Sequence, residues 1–391
     1  MYTIRRESSF FERFAKSLFG ILFGIVLLIV GLGLLWWNEG DFVHTRDALR
    51  EAAGTTEELE DLSHVRHELD GHLVHAIGEA LANEQLRDRD FGFAVRALSL
   101  KREVEYYQWV EKSHTETRKK LGGGEEEITT YQYVGEWVDS PVSSTTFVDP
   151  EAKTRYTNSI RLDLKDTMVS ARSATLGAYR LPTFLIDELP VSDLQDLNLK
   201  PADRRSLAAR MHADPALIHV DGNCVYLGHS PNLPEIGDVR VHFYAAIEGT
   251  ISILARTAKN SFEPYQAGNG KKIFAAEYGT LSAHELYVEK ERSNVLNTWL
   301  IRVLGIVLVT FAVWLLLEPI SVLASILPIL GSLVEAGSLL VSLCVGLALS
   351  FAVMAIAWIA YRPLIGCALL AIGLLFAILL PFRKKLLPHT A

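Results

Sequence analysis

Four stretches of this chain are continuously apolar, and a long polar, alternating region separates the first from the other three. Residues 18–37 (LFGILFGIVLLIVGLGLLWW) carry no charge. A hydrocarbon layer roughly 30 Å thick takes about 20 helical residues, so this run is long enough to cross it. Residues 298–318, 338–361 and 363–381 are apolar over a similar length, with Arg302 and Glu318 near the ends of the first of them. A softer piece, 319–337, contains Pro328 and Glu335 and is expected to be a re-entrant or interfacial segment on the cytoplasmic side. The expected fold class is an integral membrane protein with four transmembrane α-helices, one N-terminal and three C-terminal. A strand-rich α+β extracytoplasmic domain, 38–297, is expected between the first and second.

Basic residues set the expected orientation. Arg5, Arg6, Arg13 and Lys16 precede the first span, and Arg383, Lys384 and Lys385 follow the last. Lys and Arg beside spans favour the cytoplasmic face. Both the N-terminal segment, 1–17, and the basic tail, 382–391, are therefore expected inside, which four spans allow. The first span is expected to be retained rather than cleaved. It exceeds the 7–15 apolar residues of a signal peptide, and Trp36 and Trp37 at its end suit an interfacial anchor.

The middle region reads as strands with one good helix. Residues 71–80, 98–112, 128–138, 238–247 and 250–257 alternate or are β-rich, and 219–227 carries the tight-turn pair Asp221-Gly222. The Gly-rich charged stretch 119–127 between two long strands predicts a hairpin. The polar stretch after the first span, 41–60, is expected to be partly helical, and 193–211 is the best soluble helix. Ser282 and Glu285 form a capping-box pattern. No proline follows before Pro319, so a single helix is expected to run from the domain into the second span.

Composition narrows the chemistry. The net charge of −8 argues against nucleic acid, because no basic stripe is present. Only Cys224 of the three cysteines falls in the middle region, so that domain has no internal disulfide and is expected to rest on its core. His64, His67, His72 and His75 resemble a ligand set. On a strand, however, His72 and His75 point to opposite faces, and zinc needs converging ligands. Gly268-Asn269-Gly270 lacks phosphate-loop spacing, and neither G-x-S-x-G nor H-E-x-x-H occurs. No catalytic, cofactor-binding or metal residue is expected, and no cofactor.

Other candidates concern packing and binding. Tyr106, Tyr107 and Trp109 on one strand face Tyr131, Tyr133 and Trp137 on the next, either as sheet core or as a protein-binding face. Gly20 and Gly24 form a G-x-x-x-G that suits close helix packing. Arg302 and Glu318 lie near the ends of the second span and are expected to snorkel. Tyr361 and Arg362 precede Pro363 in a short turn, where Arg362 is a candidate for carbonyls or a lipid phosphate.

Several ordered strings carry a family likeness. They are Trp37-Asn38-Glu39-Gly40, Leu73-Val74-His75-Ala76-Ile77-Gly78, the run 104–111 (VEYYQWVE), Gly237-Asp238-Val239-Arg240-Val241, Ser282-Ala283 with Glu285, Arg292-Ser293-Asn294 with Trp299 and Arg302, and Trp358 with Tyr361-Arg362-Pro363-Leu364. In these the chain resembles the transmembrane protein 43 family, also called LUMA. The resemblance implies four spans and cytosolic termini. It also implies a eukaryotic role in organising the endoplasmic reticulum and inner nuclear membrane, with self-association and binding to other membrane proteins. It brings no catalytic residues. The absence of any Asn-x-Ser/Thr acceptor suits a bacterial member, in which the domain would be periplasmic and the spans in the inner membrane.

The expected function is a non-enzymatic multi-pass scaffold for membrane organisation and complex assembly. Its expected partners are the bilayer, other membrane or exported proteins, and copies of itself. The binding candidates are Tyr106, Tyr107, Trp109, Trp137, Tyr361 and Arg362. The alternative is a membrane-embedded enzyme or lipid-handling protein whose outer domain covers the site.

Overall fold

The computed structural model describes residues 1–120, 122–194, 200–210, 212, 214–326 and 328–362. The fourth apolar stretch, 363–381, and the basic tail lie outside them. The chain divides into two compact units, one built from 1–4, 48–116 and 128–290 and the other from 5–47, 117–127 and 291–391.

The first unit is strand-rich. The strands that shape it are β1 (Tyr2–Ser8), β2 (Glu57–Glu58), β3 (Leu73–Ala82), β4 (Ser99–Lys119), β5 (Glu125–Val138), β6 (Thr167–Ser170), β7 (Ala174–Leu176), β8 (Ile218–Asp221), β9 (Cys224–Leu227), β10 (Val239–Ala246), β11 (Gly249–Ala258) and β12 (Ala275–Tyr278). One sheet runs β1-β5-β4-β10-β9-β8, with β6 also on β4. The β4–β10 ladder pairs Tyr106 with Val239 at one end and Ser99 with Ala246 at the other. In the second sheet β11 pairs antiparallel with both β3 and β12.

Period-two alternation decides which faces meet. Leu100, Val104 and Tyr106 of β4 and Val239, Val241 and Phe243 of β10 point inward from the first sheet. Val74, Ala76 and Ala80 of β3 and Ile251 and Ile253 of β11 point inward from the second. Together they form one core, so a domain without an internal disulfide is held by apolar burial. On the outer face of the second sheet a smaller core joins Leu73, Leu254 and Ala275 to Ala48, Leu49 and Ala52 and to Leu286 and Tyr287. Tyr287 Oη and Thr56 Oγ1 share a hydrogen bond of 2.7 Å there.

The expected strands at 71–80, 98–112, 128–138, 219–227, 238–247 and 250–257 are all present, within a few residues of their ends except that the second runs on seven residues to Lys119. Within 193–211 the helix is α2, Pro201–Arg210.

The second unit is helical. Helix α1 spans Phe10–Thr55, α3 spans Ala283–Ala324 and α4 spans Pro328–Tyr361. Among the described residues these three helices are long and apolar enough to cross a membrane. Helix α1 is longer than the expected span plus partial helix, because the turns at Ala48–Ala52 gain their own apolar contacts on the second sheet. Helix α3 starts on the expected cap: Ser282 N donates to Glu285 Oε2 (2.8 Å), and Glu285 N donates to Ser282 Oγ (3.3 Å). It then passes Pro319 and ends at Ala324, and α4 opens on Pro328. Within the soft segment 319–337, residues 319–324 are thus the end of one helix and 328–337 the start of the next. A proline is tolerated inside an apolar helix where neighbours satisfy the freed groups, and it costs nothing at a first turn. Ser282→Ala is expected to lower stability by about 1 kcal/mol. A thermal melt of the purified protein followed by circular dichroism would check this, and an unchanged midpoint would refute it.

The helices meet through small residues. A side chain on Gly24 would lie 3.1 Å from Ala312 O, and one on Gly20 would lie 3.1 Å from Glu318 Oε2. The G-x-x-x-G face therefore lies against α3 of the same chain. Leu35, Val309 and Met354 form a small core joining all three helices.

Candidate functional site

Among the described residues of the helical unit, a polar cluster lies where the apolar run of α1 gives way to Asn38 and Glu39. Both side chains are buried. Glu39 takes two parallel hydrogen bonds from Arg302 of α3, Nε to Oε1 at 2.6 Å and Nη2 to Oε2 at 2.7 Å. Trp358 of α4 donates its indole N–H to the same carboxylate at 2.7 Å. One side chain therefore ties three helices. Burying two ions costs several kcal/mol each and is offset only when geometry is good and the remaining lone pairs are satisfied. The bidentate fork and the indole donor meet that condition.

Amide side chains tie the same two helices again. Asn38 Nδ2 donates to Thr298 O (3.1 Å) across to α3, and Asn294 Nδ2 donates to Phe42 O (3.2 Å) across to α1. Asn294, Thr298 and Arg302 stand four residues apart and share one helix face. Aromatic rings close the cluster. The Arg302 guanidinium lies 4.9 Å from the Trp299 ring, and that of Arg362 lies 4.9 Å from Trp358 and 5.1 Å from Phe42. Tyr361 contacts Trp36 at 5.9 Å and meets His44 edge-on at 5.7 Å. It fits only because residue 40 is glycine, since a Cβ there would sit 2.5 Å from Tyr361 Cζ.

This arrangement locks helices together. The Glu39 carboxylate is occupied on both oxygens, and a guanidinium stays protonated at any physiological pH.

The aromatic candidates of the first unit have a different role. Tyr106 is buried in the core, and its hydroxyl donates to Leu164 O and accepts from Leu164 N. Tyr107 lies 5.3 Å from Trp137, and Arg240 stacks on Trp137 at 4.3 Å. Trp109 packs edge-on against Tyr156, which stacks on Tyr133. The intervening polar residues clamp the segment 139–166. Gln108 Oε1 accepts from Val142 N (2.5 Å), Asn158 bonds both backbone groups of Trp109, and Glu111 accepts from Val148 N (2.8 Å). Burial, and then the hydrogen bond to Glu111, push the Tyr133 hydroxyl above the usual phenol range, so it remains a donor. Asp238 is fully buried and accepts from Arg161 Nε (2.7 Å), Glu235 N (2.8 Å) and Tyr226.

The four histidines do not converge. His64 faces Asp61, His72 faces Glu57, and His75 lies between Glu58 and Leu281 O. Among the described residues no group of three or more His, Cys, Asp or Glu could hold a metal ion. Gly268-Asn269-Gly270 is a turn whose Gly268 N donates to Glu51.

From the sequence alone Tyr361 and Arg362 fall in a short extracytoplasmic turn before Pro363, and Glu39 is given no role. The structure brings these residues and Arg302 to one place. The signal for the ion pair was available: Glu39 follows the first apolar run and Arg302 opens the second, so the two charges fall at similar membrane depth.

These features define an integral membrane protein of several apolar helices joined to a strand-rich domain. The chain belongs to the transmembrane protein 43 family, whose sequence profile matches residues 106–363. It is 28% identical to transmembrane protein 43 of Rattus norvegicus over 97% of this chain and 94% of that one. It is also 28% identical to transmembrane protein 43 of Homo sapiens, over 97% and 93%. Identity to the Drosophila melanogaster homolog is 29% over 90% and 91%. No solved structure matches the chain.

Proposed function

We propose that the protein is a non-enzymatic membrane scaffold whose apolar helices associate with copies of the chain and with other membrane proteins. The saturated Glu39 carboxylate carries this reading. The polar cluster around Glu39 spends its hydrogen bonds on holding α1, α3 and α4 in register. What the helices leave outward is apolar: Phe19, Leu22 and Ile29 on α1, Leu300, Val303 and Val307 on α3, and Leu339, Leu340 and Phe351 on α4 are exposed. Such faces suit lipid and neighbouring helices alike, and helix association in lipid needs close packing more than polarity. The relatives' names state membrane residence and no activity, which agrees with this reading.

Native mass spectrometry of the full chain released from mild detergent is expected to show a discrete oligomer that persists on dilution. A monomer carrying one tightly bound lipid or small molecule would overturn the scaffold and favour a lipid-handling protein.

A further inference from the structure

His75 of β3 is only 2% exposed, yet both nitrogens of its ring face acceptors. Nδ1 lies 2.5 Å from Oε2 of Glu58, and Nε2 lies 2.9 Å from the carbonyl oxygen of Leu281. A neutral imidazole has one donor and one acceptor nitrogen, and only the imidazolium donates from both. The two bonds together therefore require the His75–Glu58 pair to hold one proton more than a neutral ring beside a carboxylate.

The ring joins two segments that adjoin the long helices in the chain. Glu58 lies in β2, a strand of two residues that closely follows α1 and pairs parallel with β3 at Glu58 and His75. Leu59 N donates to His75 O at 2.8 Å. Leu281 immediately precedes the α3 cap at Ser282. Leu281 N donates to Ser252 Oγ (2.8 Å), which in turn donates to Gly279 O (2.7 Å). That fixes the loop and leaves the Leu281 carbonyl to the ring. We propose that His75 is a proton-dependent clasp that fastens both segments to β3. The extra proton holds both, and its loss releases one of them.

Other ionisable groups on the surrounding elements have partners of their own. Glu51 of α1 accepts from Tyr265 and Gly268 N, and Glu57 of β2 pairs with His72. Arg256 of β11 pairs with Glu263, Glu285 of α3 caps Ser282, and Tyr287 bonds Thr56. Among the described residues only Glu58 forms an ion pair with His75. Burial, above all, lifts Glu277 of β12 over the usual carboxylate range. A carboxyl that keeps its proton better when folded also loses stability as pH rises, so the test uses variants that retain Glu277.

Hydrogen exchange of the full chain in detergent is followed by mass spectrometry at about pH 6 and about pH 8, which bracket the imidazole range. Rates are divided by those of an unstructured chain at the same pH. The Leu59 and Leu281 amides report on the two segments. In the native chain at least one of them is expected to exchange roughly tenfold faster at the higher pH, the worth of one hydrogen bond to a charged group. In Glu58→Gln the side-chain amide can donate to a neutral ring or accept from a charged one, so the rise should vanish. In His75→Gln no ring titrates, and the rates should be equal at both pH values. Equal native rates at the two pH values would overturn the clasp. So would a rise of native size in Glu58→Gln, a substitution at an exposed side chain that leaves the fold intact.

Discussion

Replacing Arg302 with alanine is expected to destabilise the helical unit by about 3–5 kcal/mol, the cost of stranding a buried carboxylate. Glu39 is 0% exposed and has two of its three donors on Arg302. Only the Trp358 indole would remain. Lysine at 302 keeps the charge but loses the planar fork, so Arg302→Lys should fall between alanine and the native protein. Replacing both Glu39 and Arg302 with leucine should recover most of the loss, because no unpaired charge is then left in the apolar layer. The melting temperature in a single detergent, followed by Trp fluorescence, separates these cases. The ion pair would lose its proposed role if Arg302→Ala melted within error of the native protein, or if the double variant melted lower than either single.

Gly177→Ala is expected to cost the strand-rich unit about 3 kcal/mol, the sum of two independent penalties. The residue has φ +58° in the turn after β7, and a side chain there pays roughly 1–2 kcal/mol for the left-handed backbone. Its Cβ would also fall inside contact distance of the Leu62 carbonyl oxygen. That oxygen is backbone and already accepts a hydrogen bond from Ala178 N at 2.8 Å. Relieving the overlap must move the chain, for about 1–3 kcal/mol more. Limited proteolysis of the full-length variant should cut the sheet region at lower temperature than in the native protein. Gly222→Ala offers a control. Gly222 also has positive φ but has open space around its Cβ position, so it should lose only the backbone part. Equal losses for the two variants would count against the steric argument.

The aromatic strings show how far local pattern carries. Alternation along 98–112 and 128–138 located β4 and β5 and marked which residues share a face. It left open what covers that face, since a half-buried Trp109 reads the same whether its neighbour is Tyr156 or another protein. The clamp by Gln108, Glu111 and Asn158 joins residues far apart in the chain, and spacing along one strand carries no information about such pairings. The histidines behave likewise. Strand periodicity separated His72 from His75, but the glutamates they pair with come from β2, whose two residues have no pattern of their own.

Apolar length and turn chemistry are local properties, and the sequence by itself determined the features that rest on them. These were the membrane-crossing character of three described helices, the cap at Ser282, most strands, and a domain held by its core. Tertiary structure decided the features that depend on which distant groups meet. It saturated Glu39 with Arg302 and Trp358, seated Tyr361 over Gly40, and turned Gly20 and Gly24 toward α3. It also paired the N-terminal strand with β5. The physical reason is that burial of a charge or ring is a property of the pair. A lone Glu beside a span and a lone Arg opening the next are each consistent with snorkelling, and only their convergence makes a lock.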